Sequence, residues 1–390
     1  MTRQAALYIH IPFCLSKCDY CDFFSVKCRG CVPQEYIDAL CTELDFKMKL
    51  LQKDSSLQIN TIYIGGGTPS LLNKKELEQL CNRIFSYNIS SDYEFTVEVN
   101  PDDVNQELLM TLQECGVNRI SCGVQSFSQT VLKSVHRRAG LDQVCAALEC
   151  IAQFWKGRIS VDLICGLPGE TLQSLKEGLE KLCAVRNYQG NPVHHISFYS
   201  LSLEENTPLY SKIEKGQADY DSDFADKLWL SGRDFLLSRG YKQYEVSNFC
   251  LPDNDCRHNM VYWESKDYIG IGSGATGTIH KADGSAIRTT GITDIQAYIK
   301  NPCSSYITEN ISTETARFEF FMMGLRTAKG VDRFRFKSIF NTDFSQKTLE
   351  LFEQWINKGL AAVKKDEAGE FYSLTQQGLL FLNTFLEQII

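Results

Sequence analysis

The chain contains 390 residues with a formal net charge of −8, of which 43% are hydrophobic and 23% are charged. This composition is typical of a folded globular protein with one large and one smaller domain, and it excludes a disordered or fibrous chain. The sequence has no run of about 18 uncharged apolar residues, which argues against a membrane-spanning helix. Its acidic balance argues against a broad electrostatic grip on nucleic acid.

The first half of the chain alternates short β-branched runs with amphipathic stretches. These runs predict strands at 7–11, 61–64, 93–99, 119–124, 159–164 and 195–201. The amphipathic stretches predict helices at 34–51, 74–85, 106–114, 142–154 and 172–184. Repeated strand, helix and strand units predict an α/β fold, either a partial or an open (β/α) barrel with a parallel sheet and helices outside it.

The pattern changes after residue 218. A helix is predicted at 223–237, a glycine-rich stretch follows near 268–277, and the last third contains helices and a short β-like piece. We therefore predict a core at 1–218, an extension of that core at 219–300, and a smaller α+β, winged-helix-like domain at 301–390.

The loops that follow the predicted strands contain most of the polar and glycine motifs. These loops cover 13–24, 65–70, 98–101, 123–128, 162–168 and 199–202. Because the carboxyl ends of parallel strands meet at one edge of a sheet, we expect the six segments to converge on one rim.

The chain has sixteen cysteines. No export signal is evident at the amino terminus, so we expect a reducing, cytoplasmic environment with cysteines as thiols or ligands. Seven of them lie among apolar residues of predicted helices and strands and are predicted to pack in the core as small hydrophobic groups: Cys81, Cys115, Cys122, Cys145, Cys150, Cys165 and Cys183.

Cys14, Cys18 and Cys21 form a tight group just after the first predicted strand. Three thiolates in one irregular loop are typical ligands of an iron–sulfur cluster. A structural zinc site is the competing interpretation, since Cys28 and Cys31 could complete four ligands. Surface thiols without a metal are a weaker alternative, because clustered unprotected cysteines are prone to oxidation.

The CxxxCxxC spacing, preceded by YIHIPF and ending in Cys-Asp-Phe, resembles the cluster loop of radical S-adenosylmethionine proteins. In that superfamily three cysteines hold a [4Fe–4S] cluster, and the fourth iron binds the amino and carboxylate groups of S-adenosylmethionine. The resemblance implies that Cys14, Cys18 and Cys21 are the cluster ligands. It also implies an electron donor to the cluster as a partner.

Further motifs follow in the order of the porphyrin branch of this superfamily. Gly65-Gly66-Gly67-Thr68-Pro69 resembles its glycine motif, and VEVNP, GVQSF, VHRR and VDLICGLPGE resemble its nucleotide-binding segments. Taken singly, each match is better explained by a turn or a surface ion pair. Together they assign ten residues to S-adenosylmethionine: Tyr8, Tyr20, Gly66, Gly67, Thr68, Glu98, Gln125, Arg137, Asp162 and Ser200.

The porphyrin branch contains oxygen-independent coproporphyrinogen III oxidases and heme chaperones of the HemW type. The oxidases carry a further cysteine where this chain has Phe23, and they have an amino-terminal extension for which this chain leaves no room before Cys14. RHNMVYW matches the HNxxYW motif of the chaperones at His258, Asn259, Tyr262 and Trp263. An imidazole is a common axial ligand of heme iron, so the resemblance implies that His258 binds heme. A capping histidine and a core tryptophan are the alternative.

These features favour a protein that binds a [4Fe–4S] cluster, S-adenosylmethionine and heme, and that delivers heme to an acceptor protein. No catalytic residue is assigned. The competing hypothesis is a radical decarboxylase of coproporphyrinogen III, which Phe23 and the short amino terminus disfavour. A radical enzyme acting on RNA is disfavoured by the acidic balance, and a zinc-containing scaffold remains the alternative without iron.

Overall fold

The computed structural model describes residues 3–52, 56–187, 189–367 and 369–389. Its strands are β1 Arg3–Ile11, β2 Phe13–Cys14, β3 Val26–Lys27, β4 Leu57–Gly66, β5 Ile89–Val99, β6 Arg119–Gln125, β7 Arg158–Cys165, β8 His195–Ser200, β9 Lys242–Gln243, β10 Asn248–Cys250, β11 Tyr268–Ile271, β12 Thr276–His280, β13 Ala286–Gly291, β14 Tyr306–Ile311, β15 Val331–Asp332, β16 Ala361–Asp366 and β17 Gly369–Leu374.

The α-helices are α1 Gln34–Leu51, α2 Lys74–Phe85, α3 Gln106–Glu114, α4 Gln129–Ser134, α5 Leu141–Phe154, α6 Leu172–Ala184, α7 Pro208–Glu214, α8 Ser222–Ser238, α9 Arg257–Trp263, α10 Ile295–Lys300, α11 Thr313–Gly324, α12 Arg333–Phe340, α13 Gln346–Asn357, α14 Gln376–Leu379 and α15 Leu382–Ile389. Short 3-10 helices occupy Pro69–Leu71 and Pro101–Asp103. All six strands and all five helices predicted in the first half are present.

The main sheet has twelve strands in the order β14-β13-β12-β11-β1-β4-β5-β6-β7-β8-β10-β9. The pairs from β11 through β1 to β8 are parallel, and the outer pairs are antiparallel. Helices α1, α2, α3, α5 and α6 connect successive parallel strands, which is the βαβ pattern. Among the described residues the sheet ends in two edge strands, β14 and β9, so it does not close, which agrees with the partial or open barrel predicted from the sequence.

Side-chain caps explain where several connecting helices begin. The side chain of Asn73 accepts a hydrogen bond from the N–H of Glu76, whose carboxylate accepts one from the N–H of Asn73, which forms a capping box at the start of α2. Asn105 caps α3 by accepting from the N–H of Leu108. These caps fix the helix starts directly after the loops that carry the candidate site.

The last third forms a smaller α+β unit. Strands β15, β17 and β16 make an antiparallel sheet, against which α11 to α15 pack around a second, phenylalanine-rich core. Its aromatic side chains include Phe320, Phe336, Phe344 and Phe352. The predicted division at residues 218 and 300 stays a prediction.

The cysteines are only partly where the sequence predicts them. All sixteen are free thiols. Of the seven predicted core cysteines, Cys81, Cys115, Cys122 and Cys165 are buried and Cys150 and Cys183 are partly buried. The prediction was wrong for Cys145, which is exposed on α5 because the buried face of that helix contains Val144, Ala147, Leu148 and Ile151 instead.

No helix in the described ranges combines the length and apolar character that crossing a bilayer requires.

Candidate functional site

A cavity of about 480 Å³ opens at the carboxyl ends of the parallel strands. All six predicted rim segments contribute to its wall, with Tyr20, Cys21, Gly66, Gly67, Thr68, Glu98, Asn100, Gly123, Gln125, Asp162, Tyr199 and Ser200 among its residues. The cavity also reaches inward to Arg119, His195, Cys256 and Asn259. The segments converge because parallel strands end at the same edge of the sheet.

The three predicted ligand cysteines lie on one loop next to this cavity. Cys14 ends β2, and its carbonyl accepts a 2.9 Å hydrogen bond from the N–H of Cys28 beside β3. The N–H of Cys21 donates to the carbonyl of Cys18 at 3.2 Å. Cys14 and Cys18 are buried and Cys21 is partly exposed. Burial raises the pKa of the Cys21 thiol to about 11.

Two cavity residues contact the sulfur atoms directly. The hydroxyl of Thr68 lies 3.4 Å from Cys14 Sγ, and Arg137 Nη1 lies 3.5 Å from Cys18 Sγ. Such donors stabilise thiolates. In the described part of the chain, no group of three or more His, Cys, Asp or Glu side chains is placed to hold a single metal ion. The cluster prediction concerns a different geometry, because a [4Fe–4S] cluster offers a separate iron to each cysteine.

Arg137 connects the cysteine loop to the cavity wall. Its Nη2 atom donates to Asn100 Oδ1 and to the carbonyl of Gly123, both at 2.6 Å. Its Nε atom is buried and has no hydrogen-bond partner among the described residues. An unsatisfied buried donor costs stability. A carboxylate ligand in the cavity would satisfy it, which fits the carboxylate of S-adenosylmethionine.

Two buried carboxylates line the cavity from β5 and β7, the strands on either side of β6. Glu98 accepts hydrogen bonds from the hydroxyl of Tyr63 at 2.8 Å and from the N–H of Gly66 at 3.0 Å. Burial raises the pKa of Glu98 to about 7. The Ser121 hydroxyl lies 3.0 Å from both carboxylate oxygens of Asp162, and burial raises the pKa of Asp162 as well. Both groups can accept hydrogen bonds from ligand hydroxyls or an amino group.

The glycine motif allows close approach of the β4 loop to the cysteine loop. A Cβ atom on Gly67 would lie 2.7 Å from the carbonyl oxygen of Phe13 and 3.0 Å from Cys14 Sγ. Gly66 has a φ of +118°, and a Cβ there would lie 2.6 Å from the ring of His10. Only glycine fits both positions without displacing the loop.

Gln125 has an unusual backbone conformation at the end of β6. Its φ is 69°, in the left-handed region that non-glycine residues rarely adopt. Such strain is often found at functional sites. Gln125 lines the cavity, and its predicted contact with the cofactor stays a prediction.

Tyr8 is not part of the cavity wall. Its hydroxyl lies 2.8 Å from His10 Nδ1, and His10 Nε2 lies 3.0 Å from the carbonyl of Phe24. Tyr8 therefore reaches the site through His10, which packs against Gly66 and joins β1 to the end of the cysteine loop. Its predicted contact with the cofactor stays a prediction.

Sequence reasoning missed a polar cluster behind the cysteine loop. Asp19 Oδ2 accepts from Lys212 Nζ at 2.6 Å and lies 2.7 Å from His136 Nδ1. Burial would raise the pKa of Asp19, but the hydrogen bonds to Lys212 and His136 lower it overall. The cluster joins the cysteine loop to α7 and to the loop before Arg137. His136 stands next to Arg137 in VHRR, whereas Lys212 carried no sequence signal.

The HNxxYW segment lies on α9, where His258 is buried in the protein interior and Asn259 faces the main cavity. His258 is 1% exposed, and its Nδ1 atom lies 2.9 Å from the hydroxyl of Thr61. Its Nε2 atom lies 2.8 Å from the hydroxyl of Tyr262, and burial lowers its pKa to about 3. Asn259 lines the main cavity. Both ring nitrogens of His258 are therefore engaged inside the protein.

Comparison with known proteins agrees with these motifs. A sequence profile of the Radical SAM superfamily matches residues 8–182. The heme chaperone HemW of Buchnera aphidicola from Schizaphis graminum is 35% identical over 98% of this chain and 97% of its own length. HemW of Escherichia coli is 33% identical over 98% and 97%, respectively. The chain belongs to the radical SAM superfamily and, within it, to the HemW family.

Membership of this superfamily implies a [4Fe–4S] cluster and S-adenosylmethionine as cofactors. Cys14, Cys18 and Cys21 would hold the cluster, which in this superfamily would supply an electron to the sulfonium group of bound S-adenosylmethionine. The solved structure of coproporphyrinogen III oxidase from Escherichia coli shares the fold, with a TM-score of 0.80 and 21% identity over 100% of this chain and 90% of that one. At that identity the likeness concerns the fold alone.

Proposed function

We propose that this protein binds heme and transfers it to an acceptor protein. The observation that carries the proposal is the near full-length similarity to proteins named heme chaperones, at 35% and 33% identity. The cavity beside the cysteine loop is suited to a bound cofactor. It combines two carboxylates, an arginine with an unsatisfied donor and a glycine loop that allows close approach of the backbone.

Cys14, Cys18 and Cys21 hold the cluster in this proposal. The cofactor lies in the main cavity, where Arg137 binds its carboxylate, Glu98 and Asp162 accept hydrogen bonds from its amino and hydroxyl groups, and Thr68 holds the Cys14 sulfur. The remaining predicted contacts come from Tyr8, Tyr20, Gly66, Gly67, Gln125 and Ser200. An unidentified electron donor and a cytoplasmic location complete the proposal, and sixteen free thiols fit a reducing compartment.

Heme titration of the anaerobically purified chain tests the function. Absorbance in the Soret region should show saturable binding, and heme should then pass to an apo heme protein such as apomyoglobin, faster than from serum albumin as a passive carrier. Release no faster than from albumin would argue against a chaperone, and absence of saturable binding would remove the function altogether.

His258 is proposed as the heme ligand, and binding iron requires it to give up a hydrogen bond inside the protein. Its Nε2 atom has to exchange the hydrogen bond with Tyr262 for iron. Its low pKa keeps the imidazole neutral above about pH 3, which is the form that coordinates iron. The ligand is therefore available only after a local opening of α9.

Coproporphyrinogen III oxidation is the second candidate. The chain shares the fold of such an oxidase, but Phe23 stands in the place of the further cysteine of those enzymes and is 67% exposed beside the cavity. An anaerobic assay with a reductant and coproporphyrinogen III decides between the two. Protoporphyrinogen formation dependent on S-adenosylmethionine would establish the enzyme and displace the chaperone proposal.

A further inference from the structure

A second cleft, of about 170 Å³, lies between α9 and the C-terminal unit. It is separate from the main cavity and shares no lining residue with it. Its wall combines aromatic rings with cations, namely Trp263, Phe320, Phe371, Lys266, Lys329 and Arg335. None of these residues contributes to the cofactor site described above.

Positive charge is in excess in this cleft. Lys266, Lys329 and Arg335 face two carboxylates, Glu264 and Asp332. Both lysines share the carboxylate of Glu264, with Lys329 Nζ at 3.2 Å. Asp332 Oδ1 accepts the N–H of Phe334 and caps α12. The three cations of the cleft therefore exceed its two carboxylates by one positive charge.

Among the described cations of the cleft, Arg335 is the one that makes no ion pair, and Glu264 and Asp332 act on it only from a longer distance. The side chain is partly buried, its guanidinium carbon lies 5.5 Å from the ring centre of Phe320, and its Nη2 atom donates to the carbonyl of Ser265 at 3.2 Å. Among the described residues, no carboxylate lies within ion-pair distance of it. Burial lowers the pKa of Arg335. A guanidinium in this state has free donors in the fork geometry that matches a carboxylate.

Trp263 supplies a second unsatisfied donor in the same cleft. Its Nε1 atom is buried and has no hydrogen-bond partner within the described ranges, and the same holds for the neighbouring Ser265 hydroxyl. Buried donors without acceptors are rare and costly. Two donor groups on the wall of one small cleft, the guanidinium of Arg335 and the indole of Trp263, point to a missing acceptor, and an anionic oxygen pair is the acceptor that the surplus charge selects.

We infer that this cleft binds a propionate arm of heme, an inference that rests on the proposed function. Its volume is below the roughly 300 to 1,000 Å³ of pockets that enclose a whole ligand, so it takes the end of a larger one. The partly exposed rings of Trp263 and Phe371 offer apolar surface to the body of that ligand, and Phe320 closes the cleft from the core side. Heme joins a carboxylate arm to a flat apolar ring, which a free carboxylate or an acidic side chain of a protein does not.

Ligand and protein changes together test this assignment on the full, cluster-loaded chain. Heme and heme dimethyl ester, which has no ionised propionate, are titrated into the wild type, Arg335→Gln and Lys337→Gln. Lys337 is exposed on the same helix and outside the cleft, so its variant is matched for charge and substitution. Arg335→Lys, which keeps the charge but loses the fork, is the conservative variant. Thermal unfolding of each variant without heme checks the fold.

The expected result is a roughly tenfold weaker heme affinity in Arg335→Gln, with partial recovery in Arg335→Lys and no change in Lys337→Gln. The ester should bind wild type about as weakly as heme binds Arg335→Gln, and the variant should lose nothing further with the ester, because both changes remove the same interaction.

Equal loss for heme and ester in Arg335→Gln would overturn the propionate site and indicate a structural role. Unchanged heme affinity in that variant would overturn it too, while heme binding by wild type would leave the proposed function standing. If wild type bound no heme, the proposed function and the cleft assignment would both fall. If Arg335→Gln did not fold, Lys329→Gln, which removes another cation of the cleft, should reproduce the heme and ester pattern at smaller amplitude. Its failure to do so would be decisive against the site.

Discussion

The imidazole of His258 is held by Tyr262 one helical turn later on α9, with Nε2 2.8 Å from the phenolic oxygen. The same nitrogen is the one that a heme iron would need, because Nδ1 faces Thr61 in the barrel wall. Tyr262 therefore competes with iron for His258. The sequence motif that suggests heme binding and the packing that stabilises α9 use the same atoms.

Replacing Tyr262 by phenylalanine removes the competing hydroxyl and separates the stability of α9 from heme binding by His258. We expect Tyr262→Phe to lower the free energy of unfolding by about 1–2 kcal/mol, because a buried imidazole nitrogen loses its partner. Heme association measured by stopped-flow absorbance should be faster than in wild type, since Nε2 no longer has to leave a hydrogen bond. Slower or unchanged association together with the stability loss would mean that His258 is not the ligand.

Stability below neutral pH should report on His258. Its pKa is about 3 in the folded chain, against 6.5 for an ordinary histidine. Below pH 6.5 the unfolded chain binds a proton that the folded chain refuses, so stability falls by up to about 1.4 kcal/mol per pH unit as pH decreases and levels off only near the folded pKa.

This dependence is measured as a difference between variants. His258→Asn should unfold more easily at pH 7.5, and its deficit relative to wild type should shrink as the pH is lowered to 5 in denaturant titrations. The difference matters because Glu98 and Glu245, whose pKa values burial raises to about 7, act on the wild type and variant alike. Parallel curves for the two proteins would show that His258 does not titrate in this way.

Arg137 is the arginine predicted to bind the cofactor, and its neighbour Arg138 serves as the control. Arg137 contacts Cys18 and lines the cavity, whereas Arg138 lies outside it and pairs with Asp102 and Asp103. We expect Arg137→Gln to weaken S-adenosylmethionine binding at least about tenfold, because a charge-assisted hydrogen bond to the carboxylate is lost. Isothermal titration of the cluster-loaded protein measures it, and Arg138→Gln should bind normally. Equal effects in both variants would point to general loop damage.

Cys28 and Cys31 serve as controls for the three cysteines that are proposed to hold the cluster. Serine at Cys14, Cys18 or Cys21 should each abolish stable [4Fe–4S] assembly, whereas Cys28→Ser and Cys31→Ser should keep it. Iron and sulfide analysis with electron paramagnetic resonance after anaerobic reconstitution is the measurement. Cluster loss in Cys28→Ser, or zinc in place of iron in wild type, would contradict the assigned ligand set.

A substitution at Gly67 tests whether the loop after β4 must lie so close to the cysteine loop. A methyl group there would collide with the Phe13 carbonyl and the Cys14 sulfur. We therefore expect Gly67→Ala to lower cluster occupancy after reconstitution while the secondary structure, followed by circular dichroism, is kept. Normal iron content in this variant would show that the two loops need not approach so closely.

The amino-acid sequence by itself determined the alternating strands and helices, the cysteine spacing and the order of the motifs along the strand ends. These features are local: side chains alternate along a strand, helical faces repeat every three or four residues, and Cys14, Cys18 and Cys21 share one loop. Their convergence on one rim follows from the parallel topology that the pattern implies.

Only the tertiary structure decided which face of each element is covered and what each polar atom contacts. His258 meets Thr61, which lies 197 positions away in the chain, and Lys212 reaches Asp19 across 193 positions. Likewise, Cys145 is exposed although its neighbours are apolar, and Trp263 and Arg335 meet in one cleft. Burial and hydrogen bonding depend on residues brought together by packing, and neither periodicity nor a motif contains that information.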